Sequence, residues 1–312
     1  MATKDFAHLH VHTEYSMLDG AARLGDLFSY AKELGMSSMA TSDHGFLFGA
    51  FDFWRQAKAH DIKPIIGVEA YLTPGTHRTD RSRVRWGDGS RDDVSGGGAY
   101  THMTMWAETT EGMHNLFRAS SIASLEGQLY KPRMDRDVLQ TYSKGLIATT
   151  GCPSGEIQTR LRLGQFDEAL QAASDFRDIF GKDNFYCEVM DHGLDIERNV
   201  QEDLHRLAKQ LNLPYVATND LHYTRQEDHT AHAALLCVQS GSTLTDPKRF
   251  KFDADNFYLR SPEEMYSIFG DIPGAARTPS RLLSVATWSS TPRRTTCRIF
   301  PCPRGRTRNP GS

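Results

Sequence analysis

The chain lacks any run of 18 apolar residues, so no membrane-spanning helix is expected. Its first residues carry no apolar signal-peptide core. Cysteine is scarce and odd in number. The five, at 152, 187, 237, 297 and 302, show no Cys-x-x-Cys spacing. That excludes a disulfide scaffold and points to a reducing, cytoplasmic setting. No Gly-x-Gly-x-x-Gly follows the first strand-like run, so nothing favours a dinucleotide-binding fold. Residues 272–312 contain no Asp, Glu or Lys, yet hold eight of the 36 basic residues and six of the 13 prolines. The net charge of −3 is therefore an average over an acidic body, 1–271, at −11 and a tail at +8. An acidic body excludes a polycation that coats nucleic acid by charge alone.

What is present suits a soluble globular protein, with 39% hydrophobic and 24% charged residues. A length of 312 residues allows two domains or one large barrel. Short β-like runs alternate with helical ones. Strands are expected at 6–10, 38–41, 63–72, 100–107, 146–150, 184–190 and 215–218. Helices are expected at 23–34, 48–60, 110–125, 154–163, 166–180, 196–211 and 226–240. Seven βα repeats imply parallel strands with right-handed crossovers, closing into a barrel or forming an open doubly wound sheet. Residues 73–99, rich in Arg, Asp and Gly, break the pattern and are expected to form a mobile insertion loop.

In a parallel βα barrel the active site lies at the carboxyl ends of the strands. Those ends carry an unusual set of side chains. His8, His10 and His12 alternate in the first strand, which puts them on one face. Asp19 follows in the same loop. His44 follows strand two, Glu69 ends strand three, and His102 lies on strand four. Cys152 follows strand five, and Asp220 and His222 follow strand seven. Imidazole, carboxylate and thiolate together suit zinc, manganese or iron. The set is too large for one tetrahedral ion and matches two or three divalent ions with room for water and substrate. Clustered ions of this kind hydrolyse phosphate esters. His8 is the weakest of its triplet and fits an orienting role better than a ligand's. His192 could line the rim. His229 and His232, spaced as on a helix, read as surface or capping residues, and Cys187 and Cys237 as buried and inert. Asp253-Ala254-Asp255 has the spacing of a two-metal polymerase site but stands without further carboxylates, and reads as a surface loop.

The segment His-Leu-His-Val-His-Thr-Glu-Tyr-Ser-Met-Leu-Asp-Gly at 8–20 resembles the PHP (polymerase and histidinol phosphatase) domain. So do Ser-Asp-His-Gly at 42–45, Lys-Pro-Ile-Ile-Gly-Val-Glu-Ala-Tyr at 63–71, Thr-Gly-Cys at 150–152 and Ala-Thr-Asn-Asp-Leu-His-Tyr at 217–223. Lys-Pro-Arg-Met-Asp at 131–135 and Phe-Tyr-Leu-Arg-Ser-Pro-Glu-Glu-Met at 257–265 are similar to the actinobacterial variant found at the amino terminus of the DNA polymerase III alpha subunit family. The resemblance covers about 5–271. It implies an α/β fold, a distorted seven-stranded (β/α)7 PHP barrel. It also implies a metal site of two or three divalent ions, zinc, manganese or iron, on His10, His12, Asp19, His44, Glu69, His102, Cys152, Asp220 and His222. Asp220, His222, Asp19 and Glu69 would stand closest to the chemistry.

The activity implied is metal-dependent phosphodiester hydrolysis, a 3′–5′ proofreading exonuclease in DNA replication. Its partners would be a DNA 3′ end and the remaining polymerase domains and holoenzyme subunits, with no membrane. Arg78, Arg81, Lys131 and Arg133 are candidates for backbone phosphates. A stand-alone phosphoesterase of histidinol-phosphatase type and a catalytically silent scaffold are the alternatives. By this reading 1–240 is the barrel and 241–275 a connector toward a polymerase palm that the chain does not contain. The Arg/Pro-rich tail, 276–312, is expected to be disordered or the product of out-of-frame translation of GC-rich DNA.

Overall fold

The computed structural model describes residues 6–17, 19–90 and 93–277; from 278 onward the expected tail lies outside the described residues. The elements in chain order are α1 (Leu24–Glu33), β1 (Ser38–Thr41), α2 (Ala50–Ala59), β2 (Lys63–Leu72), the single turn α3 (Ser95–Gly98), β3 (Thr101–Ala107) and α4 (Thr110–Glu126). There follow β4 (Gln128–Leu129), β5 (Lys131–Met134), α5 (Arg136–Tyr142), β6 (Leu146–Thr149), α6 (Glu156–Arg162), α7 (Phe166–Phe180) and β7 (Phe185–Val189). The chain continues with α8 (Asp195–Leu211), β8 (Tyr215–Ala217), α9 (His229–Ser240) and α10 (Pro262–Phe269). No helix among the described residues is long and apolar enough to cross a membrane.

The strands curl into a barrel through the order β1–β2–β3–β6–β7–β8. Residues 8–12 close it. Ala40 N donates to His8 O and Ser42 N to Val11 O on one side, while His12 N and Leu221 O, and Leu221 N and His10 O, pair on the other. This closing segment is the seventh stave. The ladder strand expected at 6–10 is instead an extended stretch with single bridges at Val11 and Thr13. The three-residue step from His8 to Val11 spans the two-residue step from Ala40 to Ser42, and such an extra residue breaks a ladder as a bulge does.

Parallel pairing was expected throughout, but β3 runs antiparallel to both β2 and β6. The reversal matters because His102 lies at the start of β3. In a parallel strand it would sit at the opposite rim. Reversed, it stands beside the carboxyl ends of its neighbours.

Alternation along each strand sorts the barrel interior into layers. The floor is apolar: Leu9, Ala40, Ile65, Trp106, Ile147 and Val216 form one buried cluster, with Tyr186 packed against it. Trp106 Nε1 donates to Leu9 O across the barrel. A Cβ at Gly67 would stand 2.3 Å from the Trp106 ring, so only glycine leaves room for that indole. Two residues up from the floor come Thr104, Thr149, Glu188 and Thr218, and above them the rim.

Two regions escaped the sequence reading. The pair β4 and β5 adds a hairpin beside β2, with Tyr71 opposite Arg133. Helix α10 starts at a capping box in which Ser261 and Glu264 bond each other's backbone N–H. Its Met265 and Phe269, with Leu259 and Ala275, are buried. His222 N donates to Phe257 O and Ala217 N to Ala275 O, so 257–276 are bonded directly to the barrel.

Arg133, a candidate for phosphate binding, is buried, at 1% exposure. Its guanidinium donates to the carbonyls of Gly127, Ala99, Arg78 and Asp80. It is a structural clamp on the 73–99 loop and cannot meet DNA. The loop has a second tie, because Asp93 accepts from the N–H groups of Trp86, Gly87, Gly89 and Val94. Arg78 is bound to Glu126 and Asp135, while Arg81 is exposed.

Lysine cannot reproduce Arg133's planar fork of donors. Arg133→Lys is expected to lower stability by about 3 kcal/mol, the scale of losing one or two charge-assisted bonds in a buried site. It should also open 73–99 to proteolysis. Urea denaturation and limited trypsinolysis check this, and wild-type resistance of the loop in the variant would contradict it.

Candidate metal centre

At the rim the expected residues converge. Three overlapping groups bring ligand atoms within 4.8 Å of one another: His10, His12 and Asp220; His12, His44 and His222; and His44, Glu69 and His102. Glu69 is the hub. Its Oε2 lies 2.7 Å from His44 Nδ1 and 3.4 Å from His12 Nε2, and its Oε1 lies 3.0 Å from His102 Nδ1 and 3.5 Å from His10 Nε2. Asp220 Oδ1 stands 3.3 Å from His10 Nε2 and 3.2 Å from His12 Nε2. Asp19 and Cys152 complete the nine. Asp19 Oδ2 is 2.9 Å from His44 Nε2, and Cys152 Sγ is 3.1 Å from Glu69 Oε1. His10, His12 and Glu69 are buried, while Asp19, Asp220, His44 and His102 retain some exposure at the mouth.

Second partners fix the orientation of three imidazoles. His10 Nδ1 donates to Glu188 Oε1 at 2.8 Å, leaving Nε2 aimed at Asp220 and Glu69. His12 Nδ1 donates to Ser16 Oγ at 3.0 Å, and Ser16 in turn donates to Asp43. His222 Nδ1 donates to the Asp220 carbonyl at 2.7 Å. This is the pattern by which proteins fix the tautomer of metal-binding histidines. Asp220 itself has φ +41°, in the left-handed region, and such strain collects at functional sites.

The centre has the mark of a cation site. His10 Nε2, His12 Nε2, His44 Nδ1, Asp19 Oδ1, Glu69 Oε2 and Asp220 Oδ1 are all buried and face imidazole or carboxylate partners as ion pairs, without the directed geometry of a hydrogen bond. One orphan of this kind costs about 1–3 kcal/mol. Six aimed into one space fit divalent cations held by imidazole and carboxylate.

The charges agree. Burial opposes a proton on His10, but the Asp220, Glu188 and Glu69 carboxylates outweigh it and hold the imidazole well above its ordinary range. His44 is likewise raised to about 10 against its own burial, by Glu69 and Asp19. His12 is pushed down to about 3 by burial and by the His44 and His222 charges. Burial works to raise Glu69 and Asp220, yet the facing imidazoles hold both well below the usual carboxylate range. Burial and the Glu69 charge keep Cys152 a thiol.

Other histidines fall elsewhere. His8 does not share the face of His10 and His12. Its Nε2 bonds Arg260 O, and burial lowers it to about 4. His192 is stacked on Phe257 and held by Glu197 and the Asn219 carbonyl, so it is structural. His232 is not on the surface as expected. It is buried and its Nε2 donates to the backbone carbonyl of Asp19, fixing that loop. His229 is exposed and bonds Gln226 O.

The sequence reading missed Glu188, Asp43, Ser16 and His232 as positioning residues. Glu188 carried a signal: a lone charged residue inside the apolar strand Phe185–Val189. Asp43 carried another, as the immediate neighbour of His44.

Two outcomes are expected. Glu188→Gln leaves an acceptor for His10 Nδ1 but removes the carboxylate charge that raises the ring's basicity, and should weaken zinc binding about 10- to 100-fold, measured by chelator competition, with the fold intact by circular dichroism. Unchanged affinity would remove Glu188 from the centre. Cation loading must also displace the protons on His10, His44 and Cys152. Calorimetry in two buffers of different ionisation enthalpy should show proton release, and affinity should rise as the pH is raised from about 6 to about 9.

The PHP domain family profile matches residues 8–192. DNA polymerase III subunit alpha of Saccharopolyspora erythraea is 57% identical over 286 residues, covering 88% of this chain and 24% of that protein. The Mycobacterium tuberculosis subunit is 54% identical over 278 residues, covering 88% and 23%. The chain thus spans about a quarter of the length of these relatives, and it matches their amino-terminal region. A solved two-domain protein from Bacteroides vulgatus, containing a predicted PHP-like metal-dependent phosphoesterase, aligns at TM-score 0.43 and 14% identity over 78% of this chain and 59% of its own.

Proposed function

The chain belongs to the PHP domain family, and we propose that it is the metal-bearing amino-terminal part of a DNA polymerase III alpha-type polypeptide, acting as a 3′–5′ exonuclease on DNA ends. The observation that carries this reading is the convergence of nine ligand-type residues on one mouth, six of them turning a buried atom that makes no hydrogen bond into the shared space. His10, His12, Asp19, His44, Glu69, His102, Cys152, Asp220 and His222 would hold two or three ions, zinc or manganese before iron. Bound there, such ions supply an activated water and positive charge against the oxygens of a phosphodiester.

The protein's own groups divide the remaining work. Glu69, set among four imidazoles and a thiol, bridges the two sides of the centre and keeps them in register. Asp220 and His222 lie at the mouth with Asp19, where a strand end can enter. Lys131 lines the same mouth, its ammonium 5.3 Å from the Tyr71 ring centroid, and would meet a backbone phosphate there. With Arg133 withdrawn into the fold and Arg78 engaged by carboxylates, Lys131 and Arg81 remain for that role. The acidic body implies that the rest of a full-length polymerase holds the DNA. A cytoplasmic replication complex is the setting this reading implies.

The test is nucleotide release from a mispaired primer terminus with zinc, manganese or iron added in turn. Asp220→Asn is the control, because asparagine tolerates the left-handed backbone found there. Wild-type release, reduced about 100-fold or more in the variant, is the expected result, the scale of several kcal/mol of lost charge stabilisation. Phosphate release from small monoesters without digestion of DNA would instead favour a stand-alone phosphoesterase. A folded protein that binds none of the three metals would leave only a scaffold.

A further inference from the structure

The loop carrying Phe250, Lys251 and Phe252 lies against the metal centre rather than apart from it. Phe252 meets the His222 ring edge-on at 4.8 Å between centroids, and Phe257 at 4.6 Å. Phe250 stands beyond Phe252 at 6.1 Å and remains 54% exposed. On the far side of these rings is a cleft of about 540 Å³, within the range of small-ligand sites. It shares Cys152, Ser154, Asp220, Phe250 and Phe252 with the mouth of the centre, so the two spaces adjoin.

The walls select what can enter. Pro153, Leu194, Ile196 and the three phenylalanines are apolar. The charged groups at the edge are mostly acidic: Asp195, Glu197 and Asp253, the last pairing with Lys251 at 3.1 Å. Such a lining repels phosphate and accepts a flat, uncharged ring. A planar aromatic group attached to the phosphodiester held at the centre meets both requirements.

We propose that this cleft is the subsite for the nucleobase next to the scissile phosphodiester, with Phe250 as its stacking face. The inference rests on the phosphodiesterase reading and names its substrate more closely. A base can enter the cleft between Phe250 and the Leu194 and Ile196 wall only when unpaired and unstacked from its neighbours, so the substrate is an unpaired polynucleotide end rather than a small phosphomonoester. The sequence-tolerant nature of base–aromatic stacking would let any of the four bases occupy it.

The test is a double-mutant cycle on the full 312-residue chain loaded with manganese at low ionic strength. Affinities are measured by fluorescence anisotropy for a single-stranded oligonucleotide whose last linkage is a phosphorothioate, to block cleavage. Its 3′-terminal nucleotide either carries a base or is abasic. Phe250→Ala should weaken binding of the intact strand about 10-fold or more, the scale of one base–aromatic stack. It should leave the abasic strand unchanged, and Phe250→Trp should restore intact-strand binding. Metal content of each variant, read by atomic absorption, should equal that of wild type. Equal weakening of both strands, or of neither, overturns the proposal. Hydrolysis of the unmodified oligonucleotide is measured beside it. Its absence with the base coupling present would leave the cleft assigned and overturn the phosphodiesterase reading instead.

Discussion

A buried polar atom without a hydrogen bond is costly, and this fold gathers six of them around one small space. Nothing within the protein neutralises that cost fully. The imidazoles and carboxylates pair with one another at distances of 2.7 to 3.5 Å, so carboxylates hold protons on His10 and His44 while burial and neighbouring imidazoles strip His12. The arrangement is a compromise among groups that each want a cation. The barrel tolerates it because the layer beneath is rigid and satisfied. Glu188 is completely buried, yet Thr149, Thr218 and His10 all donate to it. Below that lies the dry floor around Trp106. The strain of the centre is therefore carried by elements that cannot easily relax.

Much of this could be read in the sequence because ligand chemistry and strand alternation are both local. His-Leu-His-Val-His announces its spacing, and β2 falls on Lys63–Leu72 as its β-branched centre suggests. Helices α7 and α8 follow their apolar periodicity to within a residue. What could not be read depends on distant partners. The direction of β3 is set by its pairing with β2 and β6, which no local pattern encodes. Arg133 looks like any basic residue until four carbonyls from three separate segments are seen to converge on it. His232 has ordinary helical spacing, and its role depends on Asp19, 213 positions earlier. The capping box of α10 was legible in Ser-Pro-Glu-Glu, but the burial of Met265 and Phe269 against the barrel was not.

The acidic body and the position of the basic residues also fit together. A hydrolytic centre rich in carboxylates repels a polyanion until cations occupy it, so charge alone gives the isolated domain little hold on DNA. On the proposed reading, contacts of another kind would then hold a strand end. The aromatic cleft beside the centre is one whose strength does not depend on the sign of the surface charge.

The reversal of β3 has a consequence for variation. Because β2 and β3 are antiparallel neighbours, the 73–99 segment joins them as a long hairpin connection at the mouth of the barrel, rather than as a crossover passing beneath it. Connections of that kind can lengthen or shorten at small entropic cost, with each doubling worth only about 0.6 kcal/mol. The barrel's closure, fixed by the other staves, would not register the change. His102 begins the strand at the far end of the loop, anchored by Glu69. The architecture thus holds the chemistry constant while confining changes of length in that connection to the stretches between its bonds to Arg133 and Asp93.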